Sequence, residues 1–318
     1  MPVRLLTEDD VKRLLTMEDA LEAVEAGLRK LALDEANVVP RGRVQTDHMM
    51  LHVMSAAAKS LGVAGYKAYS TSRKGTHFHV GLYDGKTGAL TALIQADYLG
   101  QVRTGAASGV ATKYMARPDA STVGIYGSGK QARTQLLAVC TVRKVSRIHV
   151  YSPNEERRRR FAEEMSRACE TEVLPVSPPE LAAREMDIVI TATTSREPVL
   201  QSSWLGQGTH VNAVGSNFLG KVELDPEIVR RSKVIAVDSR DQARIEAGDF
   251  VQPLEAGFLR WQDVKELGQI IVGRYNGRNH PQDVTLFKSL GIAIEDVAVA
   301  GRLLTRAVEA NAGTLIDF

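Results

Sequence analysis

The segment Ser121-Thr122-Val123-Gly124-Ile125-Tyr126-Gly127-Ser128-Gly129-Lys130-Gln131-Ala132 restricts the fold of this chain more than any other. A buried-strand pattern runs into Gly-x-Gly-x-x-Ala, and GSGKQARTQLLAV then reads as the start and body of a helix. The first glycine permits a tight strand-to-helix turn, and the second lets a pyrophosphate approach the backbone. The small Ala132 lets helix and strand pack closely. The helix N-terminus offers N–H groups and the positive end of its dipole to phosphates. Alone, such a string is a common glycine turn. Here it heads a series of apolar strands: SRIHVYS (146–152), DIVITAT (187–193), HVNAVG (210–215) and KVIAVDS (233–239). The charged helix EERRRRFAEEMSRA (155–168) and a proline-marked helix start at Ser177-Pro178-Pro179-Glu180 fall between them. This alternation predicts an α/β fold with a Rossmann-type, doubly wound parallel sheet that binds a dinucleotide.

The preceding segment has another character. Thr16 with Asp19 forms a near capping box, followed by Leu21, Val24, Leu28 and Leu31 at helical spacing. After VVPRGRV come strand-like pieces at 50–55, 64–70, 76–84 and 89–96. Asp84-Gly85-Lys86-Thr87-Gly88 predicts a hairpin between the last two. GAASGVATKYMA is helical and rich in small residues, suited to close packing against another backbone. Arg117-Pro118-Asp119 reads as a linker, and a final helix from about Ile294 to Asn311 returns to the first domain. The expected division is a mixed α+β domain of residues 1–118 and 296–318, with a dinucleotide-binding domain of residues 119–295 between its two pieces. The chain's 318 residues suit two domains.

Composition narrows the functional classes. Forty basic side chains against 38 acidic ones give a formal charge of +2, so no global field attracts nucleic acid or an anionic membrane. Aromatic residues at 5% provide no stacking platform for single strands. Cys140 and Cys169 cannot make a disulfide framework, which fits a reducing cytosol. The N-terminal sequence lacks signal-peptide order and no apolar run reaches membrane length, so a cytoplasmic protein is expected. His77-Phe78-His79 places two imidazoles on one strand face without a third ligand, so no metal site is expected. Trp204 and Trp261 read as packing residues.

The second strand of the alternating series fixes the expected cofactor. An acid at its end would bind the ribose diol of NAD. Here Tyr151-Ser152-Pro153-Asn154 stands instead, with Arg157 and Arg158 one turn later. Ser152, Asn154 and Arg157 suit a 2′-phosphate better, so NADP(H) is favoured over NAD(H).

Together, VRTGAASGVATKYMARP, the GSGKQA loop, THVNAVGSN and LFKSLGIAIEDVAVA resemble the ornithine cyclodeaminase/μ-crystallin family across nearly the whole chain. The resemblance implies a homodimer, with a substrate-binding and dimerisation domain completed by the C-terminal helix. It also implies a small amino-acid or imino-acid substrate whose carboxylate is held by Arg41, Lys67 and Arg103. Arg43 competes with Arg41 for its role, and Lys67 doubles as proton donor. Thr104 matches a residue contacting the cofactor phosphates. The remaining candidate cofactor contacts are Gly127, Gly129, Lys130, Gln131, Ala132, Thr193, Val214 and Gly215. Asn217 stands where cyclodeaminases carry an aspartate. Asn217 can orient a nitrogen but is no carboxylate base. That departure and Lys288 favour an NAD(P)-dependent imine reductase or amino acid dehydrogenase. The alternatives are an ornithine cyclodeaminase and a non-catalytic, NADP-dependent ligand-binding protein.

Overall fold

The computed structural model describes residues 2–317. The elements in chain order begin with β1 (Val3–Leu6), α1 (Glu8–Leu14), α2 (Met17–Ala32), β2 (Ala36–Gln45) and β3 (Met49–Ala58). They continue with β4 (Val63–Ser72), β5 (Gly75–Asp84), β6 (Leu90–Gln95) and α3 (Asp97–Met115). The alternating series comprises β7 (Thr122–Tyr126), α4 (Lys130–Val142), β8 (Arg147–Tyr151), α5 (Glu155–Ala168), β9 (Val173–Pro175), β10 (Ile188–Thr191) and β11 (His210–Ala213). Then follow α6 (Pro226–Arg231), β12 (Ser232–Val237), α7 (Arg240–Glu246), α8 (Gly248–Glu255), β13 (Lys265–Glu266), α9 (Leu267–Ile271) and β14 (Val284–Lys288). The chain closes with α10 (Ala293–Glu309) and β15 (Thr314–Ile316).

Two compact units result. One takes the chain up to Arg103 together with everything from Ile292 on, and the other is Thr104–Gly291. The division falls inside α3, whereas the Arg117-Pro118-Asp119 turn marks the change of sequence style. The reason is packing within the second unit: a Cβ on Gly105 would collide with the Thr134 carbonyl of α4. The small residues therefore commit this half of α3 to the second unit.

The first unit is built on a seven-stranded mixed sheet in the order β15-β1-β6-β5-β4-β3-β2. The β5–β6 hairpin forms as its turn residues require, with Gly88 at φ 70° and Asp84 Oδ1 accepting from Lys86 and Thr87 N–H. VVPRGRV, to which the sequence assigns no element, is the middle of β2. Pro40 lies at the register shift between Val39 and Gly42 on an edge strand, where a missing N–H donor is tolerated. α2 starts as its sequence dictates, Thr16 Oγ1 accepting the Asp19 N–H at 3.2 Å. α10 packs against α2 and against β3 and β4. Arg306 reaches from α10 to the buried Asp19 of α2 at 3.0 Å.

The second unit is an eight-stranded, all-parallel sheet in the order β13-β12-β14-β11-β10-β7-β8-β9. Taken from β9 to β11 this is the Rossmann order, with the reversal between β7 and β10; the sixth place is filled by β14, the last strand of the unit in sequence. Both sheet faces are buried. Ile188 and Ile190 of β10 join one apolar cluster with Val123, Leu136, Val150 and Phe161, while Val189 joins another with Val211, Ile228, Phe250 and Leu286. Trp204 and Trp261 pack against the latter. The proline-rich start at 177–180 yields only a short 3-10 turn, Pro179–Ala182.

One carboxylate aligns the sheet's first strand. Asp187 accepts from the Ser121 and Thr122 N–H groups, the Thr122 hydroxyl and Arg117 Nη2, at 2.6–3.0 Å. Burial pushes the Asp187 carboxyl up, but the N–H bonds and the guanidinium outweigh it and hold it below its ordinary value. Replacing Asp187 by Ala strands these donors and is expected to cost about 2 kcal/mol at pH 7, measured by denaturant unfolding. The lowered pKa makes this contribution complete above the unfolded carboxylate range, and it fades as pH falls through the folded value. The gap between variant and wild type should therefore narrow in acid.

Candidate active site

Strand pairing on β2 and β4, together with helix α3, brings the three expected cations of the first unit into one buried cluster. Lys67 and Tyr69 share a face of β4, opposite Met54 and His52 on β3 and Val80 and Phe78 on β5. Arg41 reaches this face from β2, its guanidinium 6.0 Å from the Tyr69 ring centre. Tyr69 stacks flat on His52, with ring centres 4.1 Å apart. Arg103 comes from α3. Arg41, Lys67 and Arg103 are all buried.

Two carboxylates to which the sequence pattern gives no role complete the cluster. Lys67 Nζ lies 2.7 Å from Asp296 Oδ1. Arg103 Nε donates to the same oxygen at 3.1 Å, and its Nη1 donates to Glu295 Oε2 at 2.8 Å. Glu295 and Asp296 occupy the first turn of α10. Acids there ordinarily complement the helix dipole, which hid their second use. Gly100 of α3 faces the cluster, where a Cβ would sit 2.9 Å from Lys67 Nζ.

These surroundings retune the amine. Burial, followed by the charges of Arg103 and Arg41, lowers the Lys67 pKa, while Asp296 pulls it back up; it comes to rest at about 8. Lys67 is therefore a cation that releases its proton close to neutrality, a property suited to acid–base work.

In the second unit the glycine loop takes the form its spacing requires. Gly127 sits at φ 112°, and a Cβ there would collide with the Ala192 carbonyl. Gly129 is the N-cap of α4 and has no side chain to accept from the first-turn N–H groups; a Cβ placed on it meets open space. Lys130 is exposed and Ala132 fully buried, with Gln131 between them half-buried. This cradle fits a dinucleotide pyrophosphate. Thr104 lies in α3 of the same unit, and its carbonyl accepts from Gln135 of α4 at 3.0 Å.

At the end of β8, Ser152 is buried and accepts from the Ser128 hydroxyl at 3.0 Å. Asn154 is engaged as the N-cap of α5, its Oδ1 accepting the Arg157 N–H at 2.8 Å. The four consecutive arginines separate into distinct roles. Arg158 turns inward, donating to the Ser152 carbonyl at 2.6 Å and lying over the Tyr151 ring. Arg159 and Arg160 pair with Glu155 and Glu156. Arg157 remains an exposed cation on the first turn.

Thr193, Val214 and Gly215 follow β10 and β11 at the carboxyl edge of the sheet, where open parallel sheets bind their ligands. Asn217 lies two residues beyond Gly215, half-buried. Lys288 is fully buried and pairs with Asp249 at 2.8 Å. No group of metal-binding side chains occurs among the described residues.

The sequence profile of the ornithine cyclodeaminase/mu-crystallin family matches residues 3–311. The chain belongs to that family. Among its relatives is an alanine dehydrogenase of Archaeoglobus fulgidus, 34% identical over 100% of this chain and 99% of the relative. The solved structure of a Thermococcus litoralis Delta(1)-pyrroline-2-carboxylate reductase with NADH and L-proline superposes with a TM-score of 0.93. It is 36% identical and covers 99% of this chain and 100% of its own. An archaeal alanine dehydrogenase dimer with bound NAD also gives 0.93, at 33% identity over 100% of both chains.

The electrostatics of Lys67 can be tested without an assay of turnover. Lysine side-chain NMR is expected to show one amine titrating near pH 8. Asp296→Asn removes the charge that raises it, so its midpoint should move to lower pH. An unchanged midpoint would show that the amine does not feel Asp296.

Proposed function

We propose that this protein is an NAD(P)-dependent oxidoreductase that reduces an α-imino acid to an L-amino acid, or runs the reverse reaction as an alanine dehydrogenase does. The α-imino acid is a ketimine or the imine of a 2-oxo acid with an amine. The observation that carries this reading is the buried Arg41–Lys67–Arg103 cluster, with an amine retuned to about 8. Relatives that act on pyrroline-2-carboxylate and alanine support it.

The proposed division of labour follows from the side chains. Arg41 and Arg103 hold the substrate carboxylate, guanidinium groups being matched to it in shape and charge. Lys67 assists them and gives its proton to the substrate nitrogen. Asp296 and Glu295 fix Lys67 and Arg103, so that little reorganisation accompanies the proton transfer. Asn217 orients the nitrogen. Gly127, Gly129, Lys130, Gln131, Ala132, Thr104, Thr193, Val214 and Gly215 hold the dinucleotide, which when bound supplies the hydride. NADP(H) is the favoured form, because Arg157 is exposed on the first turn of α5 while no acid ends β8. NAD(H), which occupies the related structures, is the alternative. The protein acts as a homodimer, a reading supported by the archaeal alanine dehydrogenase structure, which is a dimer. Exposed Val39 and Val44 on edge strand β2 support a second copy docking there.

The test is reduction of a panel of cyclic ketimines, and of 2-oxo acids with ammonia or methylamine, followed by NADPH or NADH absorbance. Imino acid-dependent oxidation is expected, with NADPH the better substrate. Arg157→Ala should raise the KM for NADPH about tenfold and leave NADH unaffected, the loss of one charge-assisted contact. Arg103→Lys, which keeps a cation beside Glu295 and Asp296 but loses the planar fork, should abolish most of the turnover with folding intact. The reductive rate should fall as pH rises through about 8, where Lys67 loses its proton, and the oxidative rate should rise over the same range. Ornithine converted to proline and ammonia without net cofactor change would replace this reading by the cyclodeaminase. Cofactor binding without any turnover would replace it by the ligand-binding protein.

A further inference from the structure

The carboxyl edge of the parallel sheet contains a charge network that phosphate-loop and substrate-site residues leave unexplained. Glu223, in the segment between β11 and α6, is fully buried, and every acceptor position of its carboxylate is filled. Oε1 accepts the N–H and the hydroxyl of Thr193, both at 2.7 Å. Oε2 accepts the Gly215 N–H at 2.7 Å and the Thr191 hydroxyl at 2.9 Å. One side chain thus joins the loop after β10 to the loop after β11.

The backbone that carries this carboxylate is itself anchored. Asp249 of α8 accepts the Glu223 and Leu224 N–H groups through Oδ1, at 2.7 and 3.0 Å. Its Oδ2 pairs with Lys288 Nζ at 2.8 Å, and both side chains are fully buried. Lys288 is the last residue of β14. The chain Lys288–Asp249–Glu223 therefore connects the ends of β14, β11 and β10, three neighbours in the sheet. Gly215 permits the close approach, because a Cβ there would collide with Glu223 Oε1 and the Thr193 carbonyl.

We infer that Glu223 is a positioning residue that sets Thr193 and Gly215 for the dinucleotide, with Asp249 and Lys288 holding it in register. This rests on the dinucleotide reading above. The physical reason lies in acceptor capacity. A carboxylate offers about four acceptor sites, and here four donors from two loops use them. A glutamine of the same length offers half as many and turns an NH₂ toward N–H groups, so it cannot satisfy both loops. Burying two carboxylates with one lysine is costly. The arrangement spends that cost on two loop ends at the ligand-binding edge rather than on the apolar core.

The experiment compares wild type, Glu223→Gln and Thr191→Val for NADPH and NADH affinity by fluorescence, and for kcat and imino acid KM. Thr191→Val removes one donor to Glu223 in a nearly isosteric side chain, and serves where Glu223→Gln fails to fold. The expected result for Glu223→Gln is dinucleotide binding weakened about tenfold or more and a lower kcat, the loss of charge-assisted hydrogen bonds. The imino acid KM should stay within about twofold, because the carboxylate clamp belongs to the other unit. Thr191→Val should show the same split at smaller amplitude. Wild-type dinucleotide affinity and kcat in a folded Glu223→Gln, or in Thr191→Val where the first is unfolded, would overturn the inference alone. A wild type that binds neither dinucleotide would overturn the functional reading, and this inference with it.

Discussion

An amine and a carboxylate at 2.7 Å, both buried and 229 residues apart in sequence, constrain the first unit more than any other contact. Lys67 stands on β4 and Asp296 on the first turn of α10, so the last helix must lie on the same sheet as β4 for either charge to be accommodated. Leaving one member buried without the other is among the costlier defects a fold can carry. Arg103 and Glu295 add two further charge-assisted contacts to the same place. The sheet and α10 are thereby committed to each other, and a complete Rossmann unit becomes an insertion between them.

The second unit depends on a different constraint, the absence of side-chain atoms. Gly127 allows the β7 backbone to turn against the Ala192 carbonyl, and Gly215 allows Glu223 to reach two loops. Both positions lie at the carboxyl edge of the sheet, on strands that flank β10. The order of the sheet brings together ends that are remote in sequence, and the glycines let those ends approach closely. The charge network then fixes what the glycines leave free.

What could be read from the chain divides along the same physical line. Periodicity and turn chemistry are local, so β3 to β8, the 84–88 turn and α5 were legible. The sequence assigns no element to VVPRGRV, and β2 accommodates Pro40 there because it is an edge strand with a register shift spanning that residue. The cations Arg41, Lys67 and Arg103 could be picked out by resemblance, but their meeting is a product of strand register for the first two and of the placing of α3 for the third. Glu295 and Asp296 were hidden because acids in a first helical turn already have a local explanation. Glu223 and Asp249 gave no local signal, since their partners come from β10, β11 and β14. In the arginine run, spacing alone could not tell that Arg159 and Arg160 spend their charge on Glu155 and Glu156 while Arg158 folds inward.

The composition of this buried cluster explains why a lysine, rather than a third arginine, stands beside Asp296. A guanidinium keeps its proton throughout the range in which enzymes work, so Arg41 and Arg103 can hold an anion but cannot exchange a proton with it. An ammonium responds to its surroundings. Burial and two neighbouring guanidinium groups alone would drive Lys67 toward the neutral amine, and it would then have no proton to give. Asp296 alone would keep it a cation, and it would not release one. With both, the amine titrates at about 8. A group with that pKa can protonate the nitrogen of an imino acid or deprotonate that of an amino acid. The direction is then set by the ratio of reduced to oxidised dinucleotide and by substrate supply.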